Sequence, residues 1–349
     1  MTMENKVLKE LEEIGLKKYE ARAYLALLQL GEAVASAIAN KAGIPQPRIY
    51  DVLESLLDKG LIEIKMGRPK KYKIVRPRIA FPLFAEKSAK NIMRIGEELA
   101  RELDKMYTVS EIVESEPKVW ILYNPQVGLE KLREALLLME YDAIMSFPTE
   151  IYNEVLPTIL NIAKNKVNSV FAITIYGRQE DLTSLDKISQ VPNIEVRILP
   201  TGSIKLVEVD YKWALVFGKN YLIHFGEIEL LRIIDEVYYF STWRAAEKIK
   251  EINVISGQHF RLRHHWLAMD IIEEALSKGF KVKAVIYGYK VKDKSQIKVE
   301  GYAECVRKDP KDSVRTIVLK DNKGRVVTVG ARDAVYEDVE AETIEIKIQ

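Results

Sequence analysis

Residues 43–63 read GIPQPRIYDVLESLLDKGLIE, and this stretch decides the fold of the N-terminal part of the chain. Five apolar residues in it share the i, i+3, i+4, i+7, i+8 spacing of one helical face: Ile49, Val52, Leu53, Leu56 and Leu57. Pro47 suits the first turn of such a helix, and Gly60 ends it. The segment VASAIANKAG (34–43) before it predicts a shorter helix that closes at Gly43. A short helix, a turn with glycine and a longer amphipathic helix indicate a helix-turn-helix.

The flanking residues complete a winged version of this motif. Upstream, apolar residues at near-helical spacing predict two further helices, separated at Gly15. Downstream, LIEIKMGRPKKYKIV (61–75) alternates apolar and polar residues on both sides of a turn at Met66–Lys70, which predicts a β-hairpin wing. Candidate DNA contacts are the exposed residues near the start of the fourth helix and the cations of the wing: Gln46, Arg48, Tyr50, Asp51, Arg68, Lys70, Lys71 and Lys73.

Charge is concentrated in the same region. The chain has a net charge of +2, but residues 44–78 hold nine basic and four acidic residues. A basic turn alone is usually just solvated surface, and some winged helices bind only protein. Here helix, turn, helix, wing and charge excess follow one another in the required order. Double-stranded DNA is therefore the expected partner.

Length and composition predict several folded domains. A chain of 349 residues with 48% hydrophobic and 30% charged residues fits two or three globular domains. A charged N-terminus and the lack of a long apolar run predict a cytoplasmic protein with no membrane partner. Cys305 is the sole cysteine, which excludes an internal disulfide and any multi-cysteine zinc site. Cofactors are not expected.

A long helix is predicted to follow the wing. The segment from Ala85 to Tyr107 lacks proline and spaces five apolar residues like a coiled-coil seam of about two heptads: Ile92, Ile95, Leu99, Leu103 and Met106. Two interpretations remain open, a dimerising coiled coil and an amphipathic helix packed on its own domain. We expect a homodimer, since a two-fold dimer reads a pseudo-palindromic operator.

From Lys118 onward strands and helices alternate, which predicts an α/β layer with a largely parallel sheet. VYYFS (237–241) is taken as the last strand of this layer, and a helix is expected near His259–Lys278 before a C-terminal β domain. No phosphate loop, GxGxxG, HExxH or HxK pattern is present, so we expect no catalytic residues, no metal and no enzyme activity. His264 and His265, adjacent on a predicted helix, would point about 100° apart and chelate one metal poorly.

At this point the motif GIPQPRIYDVLESLLDKGLIE resembles the helix-turn-helix of the TrmB family of archaeal sugar-sensing transcriptional regulators. The resemblance extends over the whole chain in order and length. It implies a winged helix (1–78), a dimerising linker helix (79–116), a phospholipase D-like α/β layer without catalytic residues (117–255) and a β-rich sugar-binding domain (256–349). The sugar contacts that it implies are Ser241, Arg315, Gly330, Tyr336 and Glu337. Asp338 is the alternative to Glu337 as the acidic contact, and Arg315 stands where an amide would be expected in the family. Trp243 and Trp266 are further aromatic candidates, although tryptophans of this kind are more often core residues.

The resulting hypothesis is a sequence-specific repressor or dual regulator of sugar uptake and metabolism genes. Its effector would be glucose or an α-glucoside such as maltose or maltodextrin, bound in the C-terminal domain. The alternative is an architectural, chromatin-type DNA-binding protein without a sugar effector. A phosphodiesterase stays open only if hydrolysis is detected and is lost on changing His224.

Overall fold

The computed structural model describes residues 3–107, 119–182, 185–202, 204–309 and 314–349. The chain divides into two compact units, residues 1–113 and residues 114–349, which we call the N-terminal unit and the effector unit. Within the described ranges, none of the helices has the length and apolar character needed to cross a membrane.

The N-terminal unit contains the helices that the sequence predicts. They are α1 Met3–Glu13, α2 Lys18–Leu30, α3 Ala35–Ala42, α4 Ile49–Asp58 and α5 Pro77–Met106. Gly43 follows α3 with φ 62° and ψ 41°, the left-handed conformation that glycine adopts without steric cost, and its N–H closes the helix. A 3₁₀ turn, Gln46–Arg48, leads directly into α4. The apolar face of α4 is buried, as its spacing predicts.

Three short strands form the wing sheet: β1 Glu32–Val34, β2 Ile62–Lys65 and β3 Lys71–Ile74. Both pairings are antiparallel, in the order β1-β3-β2, so the predicted hairpin is confirmed. The sequence did not predict β1, because three residues are too few to show a period-two pattern.

Helix α5 begins at Pro77, earlier than the predicted start at Ala85. Pro77 stands in its first turn, where a missing N–H costs nothing. Its 30 residues span about 45 Å at 1.5 Å per residue. Only Ala80 and Phe84 are buried in it. The five seam residues are exposed, by 41% at Ile95 and by 75% at Met106.

The effector unit begins with a mixed eight-stranded sheet in the order β11-β7-β6-β5-β8-β9-β10-β4. Its strands are β4 Val119–Leu122, β5 Asp142–Pro148, β6 Val170–Tyr176, β7 Ile194–Leu199, β8 Leu206–Val209, β9 Trp213–Phe217, β10 Leu222–Phe225 and β11 Glu247–Lys250. Only β5–β6 and β6–β7 pair in parallel. The prediction of a largely parallel sheet was therefore wrong: β8, β9 and β10 are joined by short turns, and tight turns connect antiparallel neighbours.

Helices cover this sheet and connect it to a barrel. They are α6 Pro125–Leu138, α7 Thr149–Asn165, α8 Leu185–Ser189, α9 Ile228–Tyr238 and α10 His265–Ser277. VYYFS is not a strand: it completes α9 and enters a π-helix, Tyr239–Trp243. The helix predicted from His259 starts at His265 instead, because His259–Leu262 forms β12 on the edge of the barrel sheet.

The C-terminal part is a closed β-barrel, which confirms the predicted β-rich domain. Its strands are β13 Val282–Lys290, β14 Gln296–Lys308, β15 Arg315–Asp321, β16 Val326–Gly330 and β17 Val339–Ile348. Parallel pairing of β16 with β17 closes the ring, and β12 pairs with β17 from outside it. Barrel, α10 and eight-stranded sheet share one hydrophobic core, whose largest members are Trp243 and Trp266.

Candidate functional site

The start of the fourth helix presents polar side chains. Gln46, Arg48, Tyr50 and Asp51 are all exposed, and Tyr50 is 62% exposed, which is unusual for an aromatic residue. Gln46 Nε2 donates to Asn40 Oδ1 (3.3 Å) and to the Ser36 carbonyl (3.4 Å), so this side chain folds back onto α3. The structure thus brings these four predicted residues to one end of α4.

A buried carboxylate fixes α4 against α2. Glu20 is 2% exposed and accepts hydrogen bonds from the Lys17 N–H (2.8 Å), the Ser55 hydroxyl (2.7 Å) and the Lys59 ammonium (2.9 Å). Burial alone would raise the pKa of Glu20, but these donors outweigh it and lower that pKa. Sequence reasoning missed this contact, since Glu20 lies 35 residues from Ser55.

The wing divides the predicted cations into two kinds. Lys71 Nζ pairs with Glu32 (3.0 Å) and Lys73 Nζ with Glu63 (2.7 Å), each across a neighbouring strand. The hydrogen bond from Lys71 lowers the pKa of Glu32, and the one to Glu63 raises the pKa of Lys73. Arg68 and Lys70 are exposed in the turn of the hairpin. Among the described residues, no carboxylate forms an ion pair with either of these two side chains.

In the barrel, Gly330 and Glu337 lie together. A Cβ built on Gly330 would lie 2.7 Å from the Ala334 Cβ and from Glu337 Oε2 and Cδ, so a larger residue here would force these groups to shift. Glu337 Oε1 accepts a hydrogen bond from Thr316 Oγ1 (2.7 Å). Glu337 and Asp338 also line a cavity of about 800 Å³ at the end of the barrel. Asp338 Oδ2 already accepts from Thr328 N (2.9 Å) and Oγ1 (2.8 Å).

Arg315 and Ser241 form a second group, beside the π-helix. Arg315 Nη2 donates to Glu236 (2.8 Å), and its guanidinium lies 4.4 Å from the Tyr239 ring centroid. Ser241 is exposed two residues further on, and its hydroxyl donates to the Val237 carbonyl. Because side chains alternate along a strand, Arg315 and Thr316 point to opposite faces of β15. The predicted sugar contacts are thus split between two faces.

The remaining aromatic candidates lie outside both groups. Tyr336 is 84% exposed. Trp243 and Trp266 are core residues: the Trp243 Nε1–H donates to Asp270 (3.2 Å) and the Trp266 Nε1–H to Asp235 (2.7 Å).

A buried histidine links the sheet to the barrel, which the sequence did not reveal. His264 is not on the helix but precedes it, and its Nδ1 lies 3.0 Å from Asp142 on β5. Its Nε2 lies 3.5 Å from Glu208 on β8 and 3.8 Å from Asp235 on α9. Burial would lower the pKa of His264, but these carboxylates hold it well above the usual value. The Nε2–H of His265 donates to the Val329 carbonyl (3.2 Å). Burial lowers the pKa of His265 to about 4.

Known proteins resemble the chain at both ends and along its length. The profile described as "Sugar-specific transcriptional regulator TrmB" matches residues 11–78, and "TrmB/TrmBL1, EBD C-terminal subdomain" matches residues 257–349. The HTH-type sugar sensing transcriptional regulator TrmBL1 of Pyrococcus furiosus is 26% identical over 98% of both chains. The chain is therefore similar to the TrmB family at both ends and to a TrmB-family regulator over nearly its whole length. This confirms the resemblance noted from the helix-turn-helix motif.

Two further similarities are partial. The DNA-binding HTH-type transcriptional repressor TrmBL2 of Thermococcus kodakarensis is 29% identical over 45% of this chain and 63% of its own. A solved structure of TrmBL2, described as an archaeal chromatin protein, is 22% identical, covers 70% of this chain and 99% of its own, and gives a TM-score of 0.48. The phospholipase D-like character of the α/β layer stays a prediction.

Proposed function

We propose that this protein is a sequence-specific, DNA-binding transcriptional regulator of sugar uptake and metabolism genes, and that it acts as a homodimer. The observation that carries the proposal is the N-terminal end of α4. Arg48, Tyr50 and Asp51 are exposed at this end, whereas the opposite face of α4 is buried and is held against α2 by Glu20. A helix held in this way can enter the major groove with its first residues on the base edges.

The charges of the wing support binding to the DNA backbone. Arg68 and Lys70 in the turn would contact phosphate, while Lys71 and Lys73 would have to share their charge with Glu32 and Glu63. For each phosphate that the protein neutralises, the slope of log K against log salt concentration becomes more negative by about 0.9.

Helix α5 supports the homodimer. Its seam residues, including Leu99 at 55% and Leu103 at 59% exposure, repeat at coiled-coil spacing. A second copy of the same helix would bury this seam and place two reading heads on a two-fold operator.

The barrel cavity supports a sugar effector. Its volume of about 800 Å³ accommodates a mono- or disaccharide. Glu337 in its wall has an oxygen, Oε2, beside Gly330, where a carboxylate can accept hydrogen bonds from sugar hydroxyls. We propose glucose or an α-glucoside such as maltose as the ligand. Regulation then requires that the sugar bind two arrangements of the protein with different affinity.

Selection of binding sites from random duplex DNA by the full-length protein tests the proposal. We expect enrichment of a two-fold sequence with half-sites one helical turn apart, and a change in affinity on adding glucose or maltose. Arg48→Ala should cost about 1–3 kcal/mol of binding to the preferred sequence and reduce the preference for particular bases. Lys70→Ala should instead weaken binding to all DNA sequences by a similar factor. Binding without any enriched sequence, unaffected by sugars, would favour the architectural alternative.

A further inference from the structure

A groove on the N-terminal unit carries positive charge that the proposed contacts of α4 and the wing do not use. It lies between the first turns of α2 and the exposed start of α4, and its volume is about 640 Å³. Among the described residues, four cations line it: Lys17, Lys18, Arg22 and Arg48. Arg48 is one of the residues proposed to read base edges, so the groove is continuous with that surface.

The carboxylates of the groove leave most of this charge unbalanced. Among the described residues that line it, the only carboxylates are Glu20 and Asp51. Glu20 is 2% exposed and already accepts from the Lys17 N–H, the Ser55 hydroxyl and the Lys59 ammonium, and Lys59 balances its charge. Asp51 is exposed and forms no ion pair with a described residue. One free carboxylate therefore faces four cations.

Arg22 lies against the turn of the helix-turn-helix. A Cβ built on Gly43, the residue that closes α3, would be 2.6 Å from Arg22 Nη2. The Arg22 side chain is half-buried, and within the described ranges it forms no ion pair and no hydrogen bond. A guanidinium has five N–H donors in a planar fork that fits the oxygens of a phosphate. Arg22 thus offers these donors at the turn that leads into α4.

The start of α2 adds a second cation to the same place. Helix α2 begins at Lys18, whose side chain is exposed and, in the part of the chain that the structure describes, has no ion pair. The first turn of a helix also carries a partial positive charge from its aligned peptide dipoles. Its one acidic side chain, Glu20, points inward to Ser55 on α4. The outer side of this turn is therefore cationic.

We propose that Arg22 and Lys18 bind a phosphate of the DNA backbone beside the bases that α4 reads. This site rests on the proposed DNA binding and extends the contact surface from α4 and the wing onto α2. A phosphate contact fixes the position of the protein on the duplex and carries no sequence information. Because Arg22 lies against Gly43, this contact positions the start of α4, where Arg48 meets the bases.

The dependence of DNA affinity on salt tests the proposal. The full-length protein is titrated into a fluorescently labelled duplex, either of random sequence or of the sequence enriched by selection, over an about tenfold range of salt concentration. Each phosphate contact makes the slope of log K against log salt concentration more negative by about 0.9. Arg22→Gln should remove one contact, so its deficit in affinity should shrink about eightfold from the lowest to the highest salt.

Three further variants make the result specific. Arg22→Lys keeps the charge and should retain most of the slope, which separates charge from packing. Lys18→Gln should reduce the slope in the same direction, and its exposed position keeps the test valid if Arg22→Gln does not fold. Arg101→Gln is the matched control, since Arg101 is exposed on α5 and lies outside the groove, and it should leave the slope unchanged.

Each outcome decides for or against the contact. A reduced slope in Arg22→Gln or Lys18→Gln, equal on both duplexes and absent in Arg101→Gln, supports it. Slopes equal to that of the parent protein in both variants overturn it and leave base reading by α4 untouched. A loss confined to the enriched sequence also overturns it, because a phosphate contact is blind to sequence. If the parent protein binds neither duplex, the proposed function fails and this site fails with it.

Discussion

The stability of the effector unit should fall as pH rises, and Glu208 should account for a large part of the fall. Glu208 is fully buried, and neither of its carboxylate oxygens accepts a hydrogen bond from a described residue. Its contact with His264 Nε2 is 3.5 Å, long for a hydrogen bond. Burial raises the pKa of Glu208 from 4.5 to about 7, against the lowering effect of His264.

The direction and the size of this change in stability with pH follow from proton linkage. Because the folded pKa is raised, the folded state binds more protons than the unfolded state between about pH 4.5 and 7. Stability from this group is therefore present at low pH and is lost across that window. A pKa that rises from 4.5 to about 7 on folding lowers the free energy of unfolding by on the order of 3 kcal/mol across this window. His264 acts in the same direction, since its pKa is raised as well and its contribution is lost as pH rises through the folded value.

Glu208→Gln isolates the glutamate, because glutamine keeps the shape and cannot ionise. Urea unfolding of the full-length chain, followed by tryptophan fluorescence, reports on the effector unit alone. Between pH 5 and pH 7 we expect the free energy of unfolding of the parent protein to fall relative to that of Glu208→Gln. Above pH 7 the difference between the two proteins should change little. Glu300→Gln is the control: Glu300 is half-buried at the surface, and its hydrogen bond from Lys283 lowers its pKa. A constant difference between parent and Glu208→Gln over this range would refute the reasoning.

Three further changes test other parts of the molecule. Glu20→Ala should destabilise the N-terminal unit by roughly 2 kcal/mol or more, because three donors lose their acceptor, whereas the exposed Glu12→Ala should be nearly neutral in circular dichroism melting. Leu99→Asp should convert a dimer into a monomer in sedimentation velocity, whereas Glu97→Gln, off the seam, should not; equal behaviour of the two would argue against α5 as the interface. Gly330→Ala should abolish stabilisation by glucose or maltose and cost about 1–3 kcal/mol, since its Cβ would displace a carboxylate 2.7 Å away; an unchanged sugar response would remove this position from the site.

The winged helix could be predicted because its information is local. The α4 stripe recurs within ten residues, and Gly43 and Gly60 mark boundaries that depend on backbone conformation alone. Similarly, the barrel strands alternate clearly, with a turn at Asp321–Gly324. By contrast, VYYFS (237–241) has the composition of a strand. It is helical because Tyr238 and Tyr239 pack in the core shared with the barrel, which periodicity over five residues cannot show.

The buried cluster around His264 could not be predicted at all. Its members come from β5, β8, α9 and the start of α10, at positions 142, 208, 235 and 264. Each taken alone has the residue type of a surface position. Only the pairing of β5 with β8 and the seating of the barrel on that sheet bring three carboxylates around one imidazole.

Helix α9 joins the two parts of the effector unit that sequence reasoning treated separately. Asp235 faces inward, where it accepts from the Trp266 indole and lies 3.8 Å from His264 Nε2. Glu236, the next residue, faces outward and pairs with Arg315 (2.8 Å). Consecutive residues on a helix point about 100° apart. Helix α9 can therefore contact the buried cluster around His264 through Asp235 and the Arg315 side chain through Glu236.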